Sequence, residues 1–304
     1  MIFDTHAHVL SADREKYPFG PLRGGAVPPV SAVVHRVEDL VREMDECGVA
    51  RACLVQRATL YGYDNSYALD AAAQLPERFV PVVVLDAQEP SSPAKLRALT
   101  REHRLGGVRL VAPTLTRDDT AWLDSTQALE FWKTAADLGL PVTVILYWLN
   151  KAAGRQALLN VARHITGIPI LVDHVGLPHP STPEKTWCQA NGHDCSIPSG
   201  DDFGIAQHIS RFDDLAHVRL KVTDINFDRL HDAGLDAALF LRALADRFGA
   251  ERLVWGSDVG QSPAPYAEKL ARLAACAAHL SESERAGLFG GNAQEIYGHA
   301  LAGH

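Results

Sequence analysis

The chain has 304 residues, 47% hydrophobic and 22% charged, with only 23 Gly and 17 Pro, a composition that can bury a full core and excludes a disordered or fibrous chain. Its 29 basic and 37 acidic residues give a formal charge of -8, so neither nucleic acid nor an anionic membrane surface is an expected partner. No uncharged apolar run reaches the ~18 residues of a membrane span. No basic segment followed by an apolar one opens the chain, and five scattered cysteines (Cys47, Cys53, Cys188, Cys195, Cys276) fit a reducing cytoplasm better than a disulfide framework.

Short β-branched apolar runs, each bounded by polar or Gly/Pro signals, recur along the chain. In order they are 2–9 (IFDTHAHV), 49–56 (VARACLVQ), 79–86 (FVPVVVLD), 106–113 (GGVRLVAP), 140–147 (LPVTVILY), 168–176 (IPILVDHVG), 218–226 (VRLKVTDIN) and 252–260 (RLVWGSDVG). Stretches of helical periodicity alternate with them, at 36–47, 66–75, 92–104, 125–138, 151–166, 203–215, 234–248 and 264–280. Strands apolar on both faces and joined by helices form parallel sheets, so eight such units predict an α/β fold, a single-domain TIM-like (β/α)8 barrel over residues 1–304. An open doubly wound sheet is the alternative. It would carry a Gly-rich dinucleotide loop after its first strand, where His6 and His8 stand instead. Two long connections, 10–35 and 177–202, fall at the C-terminal ends of the first and sixth strands and are expected to wall or cover an active site.

The strongest local chemical signal is Asp4-Thr5-His6-Ala7-His8. Residues i and i+2 of a strand share a side, so both imidazoles face one way and form a pair suited to a zinc-type ion or to hydrogen bonding. In a chain with 14 His the pair alone is weak evidence. It gains weight from His174 at the end of the sixth run and Asp258 at the end of the eighth. Barrel closure sets strand eight beside strand one, so three imidazoles and a carboxylate are expected to converge at the C-terminal mouth.

These residues carry a family resemblance. DTHAHV, DHVG, WGSDVG and the late GGNAQEIYG resemble the amidohydrolase superfamily over essentially the whole chain, its amidohydrolase-2 type, and most closely the lactonases related to 2-pyrone-4,6-dicarboxylate lactonase. Tyr17-Pro18-Phe19, Val55-Gln56, Tyr61-Gly62-Tyr63-Asp64-Asn65 and Gly107-Val108-Arg109 support it. The resemblance implies a hydrolase in which His6, His8, His174 and Asp258 form the centre and Asp258 moves the proton of an attacking water. Binuclear members carry a bridging Lys or Glu on strand five, which here reads PVTVILYW. One divalent ion on His6, His8, His174 and Asp258, zinc by preference, is therefore expected, with metal-free catalysis as the other arrangement the resemblance allows.

The expected reaction opens a small carboxylated lactone of the pyrone, muconolactone or aldonolactone kind, in the catabolism of an aromatic compound or sugar acid. Arg109 and Arg57 would read the anionic substrate through a guanidinium fork, or else form structural ion pairs. Tyr147, with Trp148, would line the pocket and donate to the carbonyl oxygen, or else pack in the core. Arg14, Tyr17, Arg23 and Trp187 are lid residues that could touch substrate. Lys221 is too costly to bury alone and is expected to meet a carboxylate inside the barrel. Cys188, His193 and Cys195 do not have zinc-knuckle spacing. The rival enzyme is a metal-dependent decarboxylase on the same barrel, whose first motif more often has Glu in place of Asp4; the rival outside enzymology is a binding barrel without chemistry. The sequence leaves the oligomeric state open, a homo-oligomer included.

Overall fold

The structure, a computed structural model, describes residues 1–22, 33–114, 119–146, 151–176 and 202–301, with the isolated positions 185, 186, 189 and 190. Eight strands form one parallel sheet in sequence order: β1 Ile2–Ala7, β2 Val49–Val55, β3 Phe79–Val84, β4 Gly107–Val111, β5 Val142–Ile145, β6 Ile170–Val172, β7 Val218–Thr223 and β8 Leu253–Gly256. The segment after β8 returns to β1. Asp258 N–H donates to the His6 carbonyl at 2.7 Å and His8 N–H to the Val259 carbonyl at 2.9 Å, which closes the (β/α)8 barrel. The helices around it are α1 Val37–Glu46, α2 Ser66–Gln74, α3 Ser92–Glu102, α4 Thr126–Asp137, α5 Lys151–Ala162, α6 Asp224–Asp232, α7 Ala237–Phe248, α8 Tyr266–Cys276 and α9 Asn292–Tyr297. Among the described residues no helix is long and apolar enough to cross a membrane.

Strand alternation divides the core. Val83, Val108 and Val144 pack outward against the helices with Leu96, Phe131 and Leu158, while Val80, Val82, Leu171 and Val254 fill the barrel with Phe3 and Cys53. This two-sided burial is why the strands read as continuous apolar runs. Ile296 and Tyr297 of α9 join the inner cluster. Tyr297 stacks at 6.1 Å from Phe3 and touches the position of Gly106 just before β4, so α9 plugs the N-terminal end and leaves the C-terminal mouth for chemistry.

Among the expected elements that differ are two around α6. The run 218–226 is strand only to Thr223; Thr223 then caps α6, its N–H donating to Asn226 Oδ1 at 3.0 Å, and this capping box turns Asp224–Asn226 into helix. The helix expected over 203–215 is a four-residue helix, Ile205–His208, and a 3-10 turn, Ser210–Phe212; Phe203 and Gly204 precede it in left-handed backbone, which a continuous helix does not use. Parts of both long connections lie outside the described residues, including Arg23, Trp187, Cys188, His193 and Cys195.

Candidate active site

The mouth is assembled by close backbone approaches between β8 and β1. At position 256 a Cβ would collide with the Cβ of His6, so only glycine lets the two strands meet there. Gly260, at φ 81°, approaches the His8 carbonyl in the same way. Asp4 fastens the junction from below: its buried carboxylate accepts from His6 N–H (2.9 Å), Ser257 N–H (2.9 Å), Ser257 Oγ (2.5 Å) and Tyr266 Oη (2.7 Å). With both oxygens committed to the scaffold, Asp4 is a clamp. Asp258 emerges from it with φ 54°, a left-handed conformation that a non-glycine residue keeps only when its surroundings impose it.

A second strained turn places His174. β6 stops at Val172, and His174 and Val175 take φ 51° and 52°. Asn226 Nδ2 donates to the His174 carbonyl at 2.7 Å, and the imidazole Nδ1 lies 2.7 Å from Thr223 Oγ1, so the capping residues of α6 hold this histidine. The rings of His6 and His8 lie 4.9 Å apart, and those of His6 and His174 5.1 Å. All of these side chains are buried.

Beneath the imidazoles runs a charge network. Asp173 Oδ2 accepts from Arg109 Nε at 2.7 Å, and its Oδ1 lies 3.1 Å from Lys221 Nζ and 3.4 Å from His6 Nδ1. Burial pulls the Asp173 carboxyl upward, but Lys221, Arg109 and His6 outweigh it and hold the group well below the ordinary carboxylate range. Burial pushes His6 and His8 below the ordinary imidazole value and His174 down to about 4, so the three rings are neutral at pH 7.

His8 shows what the site lacks. Its Nδ1 lies 2.7 Å from the Val55 carbonyl, a group that can only accept, so Nδ1 carries the proton and Nε2 of the neutral ring is a lone pair. That lone pair faces Asp258 Oδ1 at 3.4 Å, another acceptor. His6 Nε2 also lies 3.4 Å from Asp258 Oδ1; among the described residues His6 Nε2, His8 Nε2 and both Asp258 oxygens are buried with no hydrogen-bond partner. Acceptors facing one another in a dry site call for a cation or a proton between them. The donor set of two imidazoles and a carboxylate suits a divalent transition metal such as zinc. Among the described residues the donors form two trios sharing His6: His6, His8 and Asp258, and His6, Asp173 and His174. Asp173 is already neutralised by Lys221 and Arg109, so the first trio fits an ion better.

The structure therefore brings His6, His8, His174 and Asp258 together as expected, and Lys221 meets its carboxylate. Arg109 donates through Nε to Asp173 across the barrel. Arg57 stands two residues beyond β2 and is buried. Tyr147 lies outside the described residues. Of the lid residues described, Tyr17 Oη donates to Asp70 on α2 at 2.6 Å and the Arg14 guanidinium stacks over Phe19. Asp173 was passed over in sequence although it adjoins His174; the buried Lys221 was the signal that a carboxylate had to stand nearby. A buried apolar cluster of Ala58, Val84, Val111 and Ile145 stands at or just past the C-terminal ends of β2, β3, β4 and β5, across the barrel from β1 and β8.

A model of the amidohydrolase family matches residues 3–299. The chain belongs to that family. Among curated proteins this amidohydrolase is similar to L-fucono-1,5-lactonase of Burkholderia ambifaria, 29% identical over 271 residues that cover 86% of this chain and 84% of that one. Among solved structures it resembles an amidohydrolase of Burkholderia multivorans with bound zinc (TM-score 0.68, 20% identity, 98% of this chain and 99% of that one). It also resembles a Pseudomonas putida protein provisionally described as a 2-pyrone-4,6-dicarboxylic acid hydrolase (TM-score 0.66, 22% identity, 99% and 98%). At these identities the structural likeness is one of fold.

Proposed function

We propose that this amidohydrolase opens the ring of a small lactone by attack of water on the ester carbonyl, with Asp258 as general base. The observation that carries this is the Asp258 carboxylate: buried, free of hydrogen-bond partners on both oxygens among the described residues, and facing His6 and His8 just past the end of β8. The similarity to L-fucono-1,5-lactonase supports the lactone as substrate.

A water oxygen adds to the carbonyl carbon while Asp258 takes its proton. A carboxylate is a weak base toward water, so proton transfer is concerted with addition, which makes the water far more acidic. The ring C–O bond then breaks, the ring oxygen leaves with the proton held by Asp258, and the product is a hydroxy acid that loses its carboxyl proton to solvent. The apolar wall of Val84, Val111 and Ile145 receives the uncharged part of the ring and excludes water from it. A divalent ion held by His6, His8 and Asp258, with His174 beside them, would supply a Lewis acid for the developing oxyanion and lower the pKa of bound water.

The test is Asp258→Asn assayed by proton release on L-fucono-1,5-lactone, muconolactone and 2-pyrone-4,6-dicarboxylate, with and without zinc and with headspace CO2 followed in parallel. Turnover is expected to fall by ~100-fold or more while the thermal unfolding curve stays cooperative. Near wild-type hydrolysis by the variant would remove Asp258 from the mechanism. CO2 release with proton uptake by the wild type would replace the lactonase reading with a decarboxylase.

A further inference from the structure

The amidohydrolase treats two buried arginines in opposite ways. Arg252, 5% exposed, is saturated by backbone carbonyls: Nε donates to Val218 at 2.9 Å, Nη1 to Asp213 at 2.8 Å and Nη2 to Phe212 at 2.7 Å. Arg57, 2% exposed, spends only Nη1, on the Gly260 carbonyl at 2.7 Å; its Nε and Nη2 are buried with no partner among the described residues. Among the described residues no carboxylate comes into ion-pair contact with it.

The two idle nitrogens are not a random pair. Nε–H and Nη2–H form one edge of the guanidinium plane and point in parallel, the arrangement that takes both oxygens of a carboxylate at once. A buried guanidinium edge to which the protein supplies no acceptor costs stability, a cost that accumulates at binding sites. Burial lowers the Arg57 pKa to about 10, with Asp258 and Tyr61 pulling it back, so the guanidinium is charged at neutral pH.

The edge also sits at the right place. Val55, two residues before Arg57, supplies the carbonyl that orients His8, and Gly260, which anchors Nη1, lies two residues after Asp258. Arg57 thus bridges β2 to the loop after β8, across His8 and beside the general base, and its charge is felt by both His8 and Asp258.

We infer that the Nε/Nη2 edge of Arg57 binds a carboxylate substituent of the lactone, so that the enzyme prefers lactones carrying an acid group to neutral ones. The assignment rests on the lactonase reading and deepens it by naming the substrate class. A neutral lactone would leave the edge empty throughout the reaction; an acid lactone satisfies it and is fixed in orientation beside Asp258. The carboxylate created by ring opening has the same chemistry, so the test must separate a substituent from a product.

Matched pairs make that separation: muconolactone against its methyl ester, and 2-pyrone-4,6-dicarboxylate against its dimethyl ester. In the wild type the acid of each pair is expected to have the higher kcat/KM, and in Arg57→Met the ratio of acid to ester should fall ~10- to 100-fold, mainly through KM of the acid. Arg57→Lys, which keeps the charge but loses the fork, should recover only part of the ratio. Calorimetric binding of each pair to the Asp258→Asn protein gives the same comparison without turnover or product. Arg57→Met removes two donors that make no bond together with the one bond to the Gly260 carbonyl, opposing effects that should leave its unfolding temperature within a few degrees of wild type. Equal losses on acid and ester, or an acid that binds no tighter than its ester, would overturn the assignment and make Arg57 a counter-ion of Asp258. Loss of product inhibition with an unchanged acid-to-ester ratio would overturn it in favour of the product carboxylate. If the wild type hydrolyses none of the four and not L-fucono-1,5-lactone either, the lactonase reading fails, while the binding comparison on the wild type still decides whether Arg57 takes a carboxylate.

Discussion

Lys221 is the group whose removal reports most directly on how the active site is held. Its ammonium is fully buried, 3.1 Å from Asp173 Oδ1 and 3.3 Å from His6 Nδ1. At an effective dielectric of about 20, a unit charge pair at that separation is worth about 5 kcal/mol before desolvation is counted. Lys221→Met keeps most of the volume and deletes the charge, leaving Asp173 with Arg109 as its one strong cation. Breaking a buried pair from one side costs about 3–5 kcal/mol; the retained Arg109 bond at 2.7 Å places this case near the lower end. In a chain of this size that is a fall in Tm of about 6 °C, measured by circular dichroism with wild type and variant in the same chelating buffer at pH 7. The double variant Asp173→Asn/Lys221→Met carries no uncompensated carboxylate and should recover part of the loss, which a cycle of the four proteins reads directly. The folded pKa of Asp173 is depressed, so its contribution is present above the unfolded value near 3.8 and lost as pH falls through the lower folded value. The gap between wild type and Lys221→Met should therefore be constant from about pH 5 upward and shrink in stronger acid. A variant melting within about 1 °C of wild type, or strict additivity in the double variant, would refute the network as the support of His6.

Two further outcomes follow from the packing. Gly256→Ala forces a methyl group against the His6 Cβ, and is expected to cost about 3 kcal/mol by overpacking and to lower turnover more than 10-fold by displacing His6; an alanine variant with wild-type Tm and activity would show that the β1–β8 approach has slack. Glu284 pairs with Arg242 of α7 at 2.9 Å and accepts from Ser281 N–H, chiefly the arginine lowering its pKa to about 2 from 4.5. That stability is present above pH 4.5 and lost between 4.5 and about 2. Urea unfolding should show Glu284→Gln about 1 kcal/mol weaker than wild type at pH 6, a screened value for a partly exposed pair, and equal to it near pH 2; a gap that does not close with acid would separate it from this carboxylate.

His6 and His8 were legible because their spacing matches the strand period, and Asp258 because barrel closure sets strand eight beside strand one. What the sequence does not display is backbone sign. The run 168–176 looks like nine residues of strand, yet β6 is Ile170–Val172 and the next residues turn through left-handed conformations at His174 and Val175, which no propensity favours. Partners across the barrel were equally hidden. Arg109 looked like a substrate reader as much as an ion pair, because its choice depends on Asp173, two strands away and 64 residues on. Thr223 and Asn226 looked like the end of a strand; only as the cap of α6 do they explain how His174 is held.

The strained residues and the long-range hydrogen bonds fall in the same places, and each accounts for the other. Left-handed backbone at His174, Val175 and Asp258 costs of order 1–3 kcal/mol per residue and would relax to strand or helix in isolation. At His174 the opposing bonds come from Asn226 to its carbonyl and Thr223 to its ring. At Asp258 they come from its own N–H to the His6 carbonyl at 2.7 Å and from Ser262 N–H to its carbonyl at 3.1 Å, with Asp4 binding Ser257 alongside. Each strained donor is therefore anchored to an element distant in sequence, and the imidazoles and Asp258 can meet only when β1, β6, β7 and β8 have all closed. The orphaned acceptors of His6, His8 and Asp258 arise from that closure. They face one another because the scaffold, not their own preference, holds them there, and a cation or a proton in motion is what relieves them.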